Sequence, residues 1–425
     1  MRHVSQQKNA HTGARCGAST RRLFLAGSVL VPLSYAQRAR ANDLEAVRDS
    51  GVLRVGTAGD YAPFSAAQGK AFVGFDIDLA RRLAKDLKLR VEFVRFKWPE
   101  LLQNLQAGLF DVALSGIALR GDRTLSAQFS RPYAVTAALP LIRRADQARF
   151  SDASALDQPG VRLVVNAGGH LEKVARRLFS RAEIVTTSDN TKLFTPVLEK
   201  TADAALSDTA EAHAHPNSGL IALAPLTHDR KAPLLAAGAD HFSQWLDGWL
   251  ADRERDGFLP QLRRRYLGVV PDSALPFAAE GVFGALQLRS ELMPFVGAYK
   301  ASHHLPVEDV AQEARVLGRV ASSASELGLD PDSVRALYRE LITAAKEIER
   351  AQATVSNPLQ PSLDELRIVI RKIDAQMLGT LRELLRDGIT VDWTGNIARC
   401  LEVDGLSASR KLAVGEALSK VRAQR

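Results

Sequence analysis

The sequence feature that most constrains the fold is a change of pattern near residues 268–275. Before it, from about residue 43, short apolar runs alternate with amphipathic segments. After it, apolar residues recur at helical spacing and no convincing strand pattern is present. Alternating strands and helices predict a parallel α/β sheet, whereas uninterrupted helical periods predict an all-α fold. We therefore expect an α/β half followed by an all-α half.

The first 41 residues are set apart by their charge. They carry seven basic residues and no acidic one, so they account for most of the net charge of +8. The remaining 384 residues contain 49 basic and 48 acidic side chains. A nearly neutral body gives no charge-based argument for binding nucleic acid or an anionic membrane. No apolar run approaches the roughly 18–20 residues of a membrane span, so no membrane anchor is expected.

The same leader contains export signals. Arg21 and Arg22 form a twin-arginine pair, an apolar run follows, and Ala39-Arg40-Ala41 places small residues where a signal peptidase cleaves. We expect residues 1–41 to be a twin-arginine signal peptide that directs the folded protein to the periplasm. The alternative is a chance arginine pair in a disordered arm.

Cysteine usage is compatible with export. Cys16 leaves with the leader, so Cys400 remains alone and no internal disulfide is expected. Without a histidine near it in the sequence, Cys400 is a poor nucleophile and is expected to be a buried, small apolar residue.

The body divides into two predicted domains, over residues 42–270 and 275–425. In the first domain, strands are predicted at four segments and a helix at a fifth; these are 52–56, 91–94, 111–114 and 161–165 for the strands and 75–87 for the helix. In the second, an apolar stripe from Leu363 to Leu384 predicts a long helix. Asn357-Pro358 and Pro361 end the helix before it, and Ser362 is the expected N-cap of the long helix.

Three segments of the first domain occur in a recognisable order. They are Gly59–Phe64, Gly74–Ala80 and Phe110–Ile117, followed by Arg123. The region to which this series belongs covers about 220 residues. The series resembles the periplasmic solute-binding proteins for polar amino acids. A strand that ends in Ser-Gly exposes backbone N–H groups at the sheet edge where open α/β folds bind ligands, and a guanidinium suits a carboxylate. The resemblance implies these ligand-binding residues: Asp60, Phe64, Ser115, Gly116, Ile117 and Arg123. Taken alone, Arg123 would more simply form a surface salt bridge.

A second motif separates an enzyme from a receptor. Residues 166–173, Asn-Ala-Gly-Gly-His-Leu-Glu-Lys, follow a strand and open a helix. Receptors bind a ligand carboxylate at such a helix N-terminus, but here Glu172 already occupies the first turn. The motif resembles the cyclohexadienyl dehydratases, which share the fold and act on prephenate and arogenate. Trp98-Pro99, Asp189-Asn190 and Asp208-Thr209 match as well, whereas His170 stands where threonine is expected. The simpler alternative is that Glu172 only complements the helix dipole.

This resemblance implies a mechanism. Protonation of the prephenate hydroxyl lets water leave together with carbon dioxide, so the site needs one general acid in a dry cleft and cations for the carboxylates. Glu172 is implied as the acid, with a pKa raised by burial on closure. Arg123 is implied to hold a carboxylate and Lys173 to assist. The other implied substrate-binding residues are Trp98, Asn166, Gly168, Gly169, His170 and Asp208.

The helical half carries a series of charged residues. Arg289 and Lys300 are 11 residues apart, which on one helix places them on the same face, roughly 16 Å apart, unless Pro294 kinks it. The order Arg289, Lys300, Pro-Val-Glu-Asp at 306–309, Glu349 and Leu366-Arg367 resembles the all-helical chorismate mutases, particularly their exported class. Singly, each charge is more simply a solvated helix residue.

The mutase resemblance implies a role for each position. Arg289 and Arg367 grip carboxylates, Lys300 reaches the ether oxygen, and Glu349 donates a hydrogen bond there when protonated. Two positions depart from the family: Gln312 in the substrate pocket replaces an arginine, and Ala345 replaces a small hydroxyl residue. Losing a cation weakens such a pocket.

Together the resemblances predict an exported bifunctional enzyme of phenylalanine biosynthesis that converts chorismate to prephenate and prephenate to phenylpyruvate, with arogenate as a further candidate substrate. No cofactor or metal is expected, since His303 and His304 are adjacent and not four residues apart. A homo-oligomer is compatible with the sequence. Two alternatives stay open: a receptor with a helical domain that docks a partner, and an active dehydratase with a degenerate mutase domain that serves only assembly.

Overall fold

The structure is a computed structural model that describes residues 43–216, 218–268, 275–351 and 360–424. The proposed signal peptide and the predicted helix break at Asn357-Pro358 lie outside the described residues. So do residues 269–274, where we divide the two domains. Within the described residues, two α/β lobes are followed by a helical domain.

The chain first builds most of lobe 1. Its elements are α1 (Leu44–Ser50), β1 (Val52–Thr57), β2 (Asp60–Tyr61), β3 (Ser65–Gln68), β4 (Ala71–Val73), α2 (Phe75–Leu87), β5 (Arg90–Arg95), α3 (Leu101–Gln106), β6 (Val112–Ala113) and β7 (Ala127–Phe129). A 3₁₀ helix, Gly121–Leu125, precedes β7.

The chain then crosses into lobe 2 and returns. The elements of the crossing and of lobe 2 are β8 (Ala134–Thr136), β9 (Ala138–Arg143), α4 (Ala153–Leu156), β10 (Arg162–Asn166), α5 (His170–Leu178), β11 (Glu183–Thr187), α6 (Thr195–Leu198), β12 (Ala204–Asp208), α7 (Thr209–Ala214) and β13 (Leu220–Ala222). The return and the end of lobe 1 are β14 (Asp229–Lys231), β15 (Leu234–Ala236), α8 (Asp240–Arg255) and α9 (Phe258–Leu267).

Each lobe is built on a five-stranded mixed sheet. The strand order is β5-β1-β6-β15-β7 in lobe 1 and β11-β10-β12-β9-β13 in lobe 2. The strands β8 and β14 pair antiparallel and form the hinge between the lobes. The predicted strands and the predicted helix over 75–87 are confirmed in position, although the strand predicted at 111–114 is shortened to β6. The predicted α/β class is therefore confirmed.

The helical domain contains seven helices in its described part. They are α10 (Ala279–Glu291), α11 (Met293–Ser302), α12 (Val310–Glu326), α13 (Pro331–Ala351), α14 (Leu363–Arg386), α15 (Trp393–Cys400) and α16 (Ala408–Ser419). Ser362 caps α14 as predicted, in a capping box with Glu365. Arg289 and Lys300 do not share one helix: Arg289 lies on α10 and Lys300 on α11. Pro294 lies in the first turn of α11, where proline is tolerated, and the break falls at Leu292.

Lobe 1 and the helical domain share one hydrophobic core. The shared cluster runs from Phe110 and Leu234 in lobe 1 to Phe283, Leu337 and Met377 in the helical domain. Lobe 2 has two clusters of its own, which among the described residues include no residue of the helical domain. Since packed cores move as units, lobe 1 and the helical domain form one body and lobe 2 another.

Polar contacts reinforce this division. The carboxylate of Glu291, at the end of α10, accepts a hydrogen bond from the backbone N–H of Gly121 in lobe 1 at 2.5 Å. Glu280 of the same helix pairs with Arg230 of the hinge strand β14 at 2.8 Å. Contact with lobe 2 itself includes a looser ion pair, Arg177 to Glu402 at 3.6 Å. None of the helices described here is long and apolar enough to span a membrane.

Candidate active sites

The first candidate site lies in the cleft between the two lobes. Its cavity has a volume of about 40 Å³. It is lined by Tyr61, Trp98, Gly116, Ala118 and Arg123 of lobe 1, Asn166, Gly169, His170, Leu171 and Asn190 of lobe 2, and Lys231 of the hinge. Burial lowers the pKa of the Arg123 guanidinium to about 9. The cleft thus brings two buried cations, Arg123 and Lys231, to a site with polar and aromatic walls.

Six of the residues predicted to bind substrate line this cavity. They are Trp98, Gly116, Arg123, Asn166, Gly169 and His170. The others lie around it: Asp60, Phe64, Ser115, Ile117, Gly168, Lys173 and Asp208 are not part of its wall. Phe64 is fully buried and packs under Tyr61, with ring centroids 5.3 Å apart, so its contribution is structural.

The strand-end glycine does not have the open N–H group that the sequence suggested. The N–H of Gly116 donates to the buried carboxylate of Asp76 at 2.5 Å. Gly116 has a φ of 61°, and a Cβ at this position would come within 2.8 Å of the Phe64 ring. Only glycine fits this turn without strain. Gly116 therefore allows a close approach between the backbone and the aromatic wall.

Glu172 is not arranged as the sequence implied. It lies in the first turn of α5, where its carboxylate accepts from the N–H of Gly168 at 2.7 Å and from Arg176 at 2.8 Å. Burial acts to raise the pKa of Glu172, but these two partners outweigh it, and the pKa lies below its ordinary value. The pKa of Glu172 is therefore not raised in this structure, where Glu172 lies outside the lining of the cleft. The rise on closure that the resemblance implies stays a prediction.

A different carboxyl group has the expected properties. Glu211, in α7, is buried with 3 % of its surface exposed. It accepts from the Asn190 amide at 2.8 Å and lies 2.5 Å from the Ser207 hydroxyl. Burial, and next the neighbouring Asp208 carboxylate, raise the pKa of Glu211 to about 8. Glu211 is thus a carboxylic acid at neutral pH, one residue behind the cleft wall formed by Asn190.

Asp208 connects this acid to the hinge. Its carboxylate accepts from the Tyr61 hydroxyl and lies 3.5 Å from the ammonium group of Lys231. The Lys231 ammonium is also 3.3 Å from the Tyr61 oxygen. All three side chains are buried. Asp208 therefore holds Lys231 and Tyr61 in place at the cleft, where they are the groups that face a ligand.

Tyr61, Asn190, Glu211 and Lys231 were not predicted as site residues. A signal for one of them was present, because Glu211 follows the predicted site residue Asp208 by three positions, the spacing of neighbours on a helix. Lys231 ends a run of three charged residues, Asp229-Arg230-Lys231, which usually indicates a solvated segment. In the structure all three are buried, because the hinge strand passes between lobe 2 and the helical domain.

The second candidate site lies in the helical domain. Its cavity, about 130 Å³, is lined by residues of five helices, α10 to α14. They include the residues predicted for the mutase site: Arg289, Lys300, Gln312, Ala345, Glu349 and Arg367. The Lys300 ammonium lies 2.7 Å from the Glu349 carboxylate and donates to the Val307 carbonyl at 2.8 Å. Arg289 is buried and donates to Asp374 at 3.2 Å. The predicted residues are thus brought together despite the break between α10 and α11.

The same cavity contains two cations that were not predicted. Arg319 and Lys346 line it beside Gln312, whose side chain accepts from Arg315 and so turns to the surface. Lys346 pairs with Glu313 at 2.8 Å, and Arg319 lies two turns after Gln312 on α12. These cations add positive charge to the cavity in which Gln312 replaces an arginine of the family pattern.

Glu349 is buried next to Lys300. Burial raises the pKa of Glu349, against a lowering effect of the Lys300 ammonium. Gly297 allows the close approach of α11, since a Cβ there would meet the Glu349 carbonyl oxygen at 2.8 Å. A group that titrates above its ordinary range can be protonated while it binds substrate, which suits a hydrogen-bond donor.

One cluster has the composition of a metal site. The ligand atoms of His228, Glu280 and Cys400 lie within 4.8 Å of one another. However, Arg230 already donates to Glu280 at 2.8 Å. Burial lowers the pKa of His228, but hydrogen bonds to Cys400 and Glu280 raise it to about 9, so a metal ion would have to displace a proton from this imidazole. Cys400 is buried as expected, yet a histidine does lie near it, 3.9 Å away.

Comparison with known families identifies the first half. Residues 53–269 match the profile of the bacterial extracellular solute-binding proteins, family 3. The chain belongs to this family. It is 35% identical over 256 residues to a cyclohexadienyl dehydratase of Pseudomonas aeruginosa, in an alignment that covers 59% of this chain and 95% of the relative. The family 3 fold of the two lobes is thus shared with an enzyme.

Further comparisons concern a solved structure similar to the first half and the family of the second half. A crystal structure of an ancestral amino acid-binding protein, described as a precursor of cyclohexadienyl dehydratase, is 30% identical with a TM-score of 0.51, covering 52% of this chain and 98% of that one. Residues 282–350 match the profile of chorismate mutase type II. A monofunctional chorismate mutase of Enterobacter agglomerans is 33% identical over 147 residues, covering 33% of this chain and 81% of the relative. The family 3 domain is therefore fused to a chorismate mutase domain.

Proposed function

We propose that the protein is an exported bifunctional enzyme that rearranges chorismate to prephenate in its helical domain and converts prephenate to phenylpyruvate in its family 3 domain. The observation that carries the proposal is that one chain holds two separate cavities lined by cations, each near a carboxyl group of raised pKa. Glu349 lines the mutase cavity, and Glu211 lies behind Asn190 in the wall of the cleft. Both domains have relatives with the corresponding activity.

The dehydratase step needs a proton delivered to the departing hydroxyl group. We assign this proton to Glu211 in place of Glu172. Three features support the choice: Glu211 has a pKa of about 8, it is buried, and it contacts Asn190 in the cleft wall. Glu172 is by contrast ionised and paired with Arg176, which makes it a poor proton donor.

The cations of the cleft bind the two substrate carboxylates in this proposal. Arg123 and Lys231 come from lobe 1 and the hinge, so they form a charged base on which lobe 2 closes. Because closure excludes water, their attraction for the carboxylates becomes stronger. Release of carbon dioxide and water then leaves an aromatic ring, and no cofactor is required. Arogenate is a further substrate candidate, because the relative with the same fold is a cyclohexadienyl dehydratase.

The mutase step uses position and charge alone. Arg289 and Arg367 hold the carboxylates of chorismate, and Lys300 donates to the ether oxygen as negative charge develops on it. Protonated Glu349 donates to the same oxygen. Arg319 and Lys346 supply positive charge near the position where Gln312 replaces an arginine. This supports an active mutase over the degenerate alternative.

The direct test supplies chorismate to the purified protein and follows chorismate, prephenate and phenylpyruvate over time. We expect prephenate to rise and then fall as phenylpyruvate accumulates. Turnover of prephenate without turnover of chorismate would favour the degenerate mutase. Tight binding of an amino acid without turnover of either compound would favour a receptor, as in the ancestral binding protein of the same fold.

Mutase activity should fall as the pH rises through the pKa of Glu349. An ether oxygen only accepts hydrogen bonds, so the protonated carboxyl group donates to it and the ionised one repels it. The active form is present below the pKa, which burial raises. Glu349→Gln donates at every pH and should therefore flatten the profile. The measurement is mutase kcat/KM against pH for both proteins.

Dehydratase activity of the same two proteins provides the control for this experiment, because Glu349 lies outside the cleft. It should show one common pH profile for wild type and variant. A wild-type mutase profile without a fall above neutrality, together with full activity of Glu349→Ala, would exclude Glu349 from the reaction.

Export is supported by the family, which is one of extracellular proteins. We propose the twin-arginine route to the periplasm from Arg21 and Arg22. Arg21→Lys combined with Arg22→Lys should block export, because the route reads the arginine pair and lysine lacks the guanidinium fork. The measurement is the share of protein in the periplasmic fraction, with Arg2→Lys as a matched control. Unchanged recovery of the double variant would exclude this route.

A further inference from the structure

A third cavity, of about 450 Å³, lies between lobe 2, the hinge and the helical domain. Its size is typical of sites for small molecules. His170 lines both this interdomain cavity and the cleft, so the two are adjacent. On its other side, Glu291 and Pro294 face this cavity, whereas Arg289 and Met293 of the same segment face the mutase cavity. It therefore lies between the two candidate active sites and belongs to neither.

Charged groups of both signs surround the interdomain cavity, and in two places a pair of cations shares one carboxylate. Arg120 and Lys173 share the single carboxylate of Asp122. In the same way, His228 and Arg230 share the single carboxylate of Glu280. Burial raises the pKa of Glu291 and of Glu402, which weakens the negative charge on the opposite wall. Asp404 is also acidic but lies exposed at the rim, and Asp229 is paired with His170.

A further cation, Arg177, is loosely held. Its guanidinium lies 3.6 Å from the carboxylate of Glu402, beyond normal hydrogen-bond distance, and 36% of its side chain is exposed. The remaining wall is apolar, with Leu119, Val174, Pro294 and Phe295. Cations next to an apolar wall are the features that recognise a carboxylate with a hydrophobic body.

We propose that the interdomain cavity is a binding site for a small carboxylate with an apolar, ring-sized body, and that Arg177 is one of the groups that bind its carboxylate. The cavity is walled on one side by lobe 2 and on the other by the body formed from lobe 1 and the helical domain. A ligand there bridges the two and favours the closed position of lobe 2, since it binds only the position in which both walls are present. The site thus goes beyond the proposed reactions.

The test separates this site from the two candidate active sites. In a chain with Arg123→Ala and Arg367→Ala, which weaken carboxylate binding in the cleft and in the mutase cavity, isothermal titration with phenylacetate should still show about one bound equivalent. Adding Arg177→Ala should weaken this binding about ten-fold or more, the effect of losing one charged hydrogen bond. Adding Arg181→Ala, a nearby arginine of lobe 2 outside the cavity, should leave it unchanged.

Two further measurements guard against trivial results. Val403→Trp, which fills the cavity without removing a charge, should also abolish the binding, and phenethylamine, a cation of similar size, should not bind. Thermal unfolding of each variant checks that it is folded. In the wild-type chain, one component of phenylacetate binding should likewise be weakened by Arg177→Ala. Absence of binding in the chain with weakened active sites, or binding that is equal with and without Arg177→Ala, would overturn the proposal.

Discussion

Replacing Glu211 by glutamine should lower the rate of prephenate turnover by about 10²–10⁴-fold, the loss that follows removal of a general acid. Glutamine keeps the shape and the hydrogen bonds to Asn190 and Ser207 but cannot release a proton. In the wild type, the acid form of Glu211 is present below its pKa of about 8 and disappears above it. Dehydratase kcat should therefore fall as the pH rises through about 8.

Glu172→Gln is the matched control for this experiment. It removes the other candidate acid, which is ionised and bound to Arg176, and should change kcat much less. Mutase activity of both variants reports whether the chain is folded. A large loss of kcat in Glu172→Gln together with a wild-type rate in Glu211→Gln would reverse our assignment and restore the role that the family resemblance implied.

Lys300→Met should lower mutase kcat/KM by about 10²–10³-fold, comparable to removing one donor from an oxyanion site. The ammonium group of Lys300 is held by Glu349 and by the Val307 carbonyl, so it is oriented before substrate binds. Methionine keeps the length of the side chain and loses the charge. The measurement is the initial rate of chorismate loss over a range of concentrations.

Lys346→Met serves as the control for Lys300→Met. It removes a cation from the same cavity, but one that is paired with Glu313, and it should affect KM more than kcat. Because the cleft is distant in the fold, dehydratase activity should be unchanged in both variants. Equal mutase rates in wild type and Lys300→Met would show that the helical cavity is not where chorismate reacts.

Much of this fold could be predicted from sequence because local signals agree with tertiary structure. The capping box at Ser362 and the apolar stripe that follows it both indicate the same helix, and α14 forms there. Arg123 and Asn166 could likewise be placed at the cleft, since each follows a strand whose carboxyl end lies at the ligand edge of the sheet.

The residues that were missed depend on contacts between distant segments. Lys231 looks solvent-exposed in sequence, and only the hinge geometry buries it beside Tyr61. Glu211 acquires its raised pKa from burial and from the Asp208 carboxylate. The extent of that burial cannot be predicted from a local sequence pattern. Glu172 shows the opposite case, since the arginine four residues later was visible and explains why this carboxylate stays ionised.

The core shared by lobe 1 and the helical domain has a consequence for producing the first half of the protein alone. A truncation after residue 268 would leave Phe110, Leu234 and their neighbours without the apolar partners that cover them. The first half produced without the helical domain would thus expose an apolar surface and tend to aggregate.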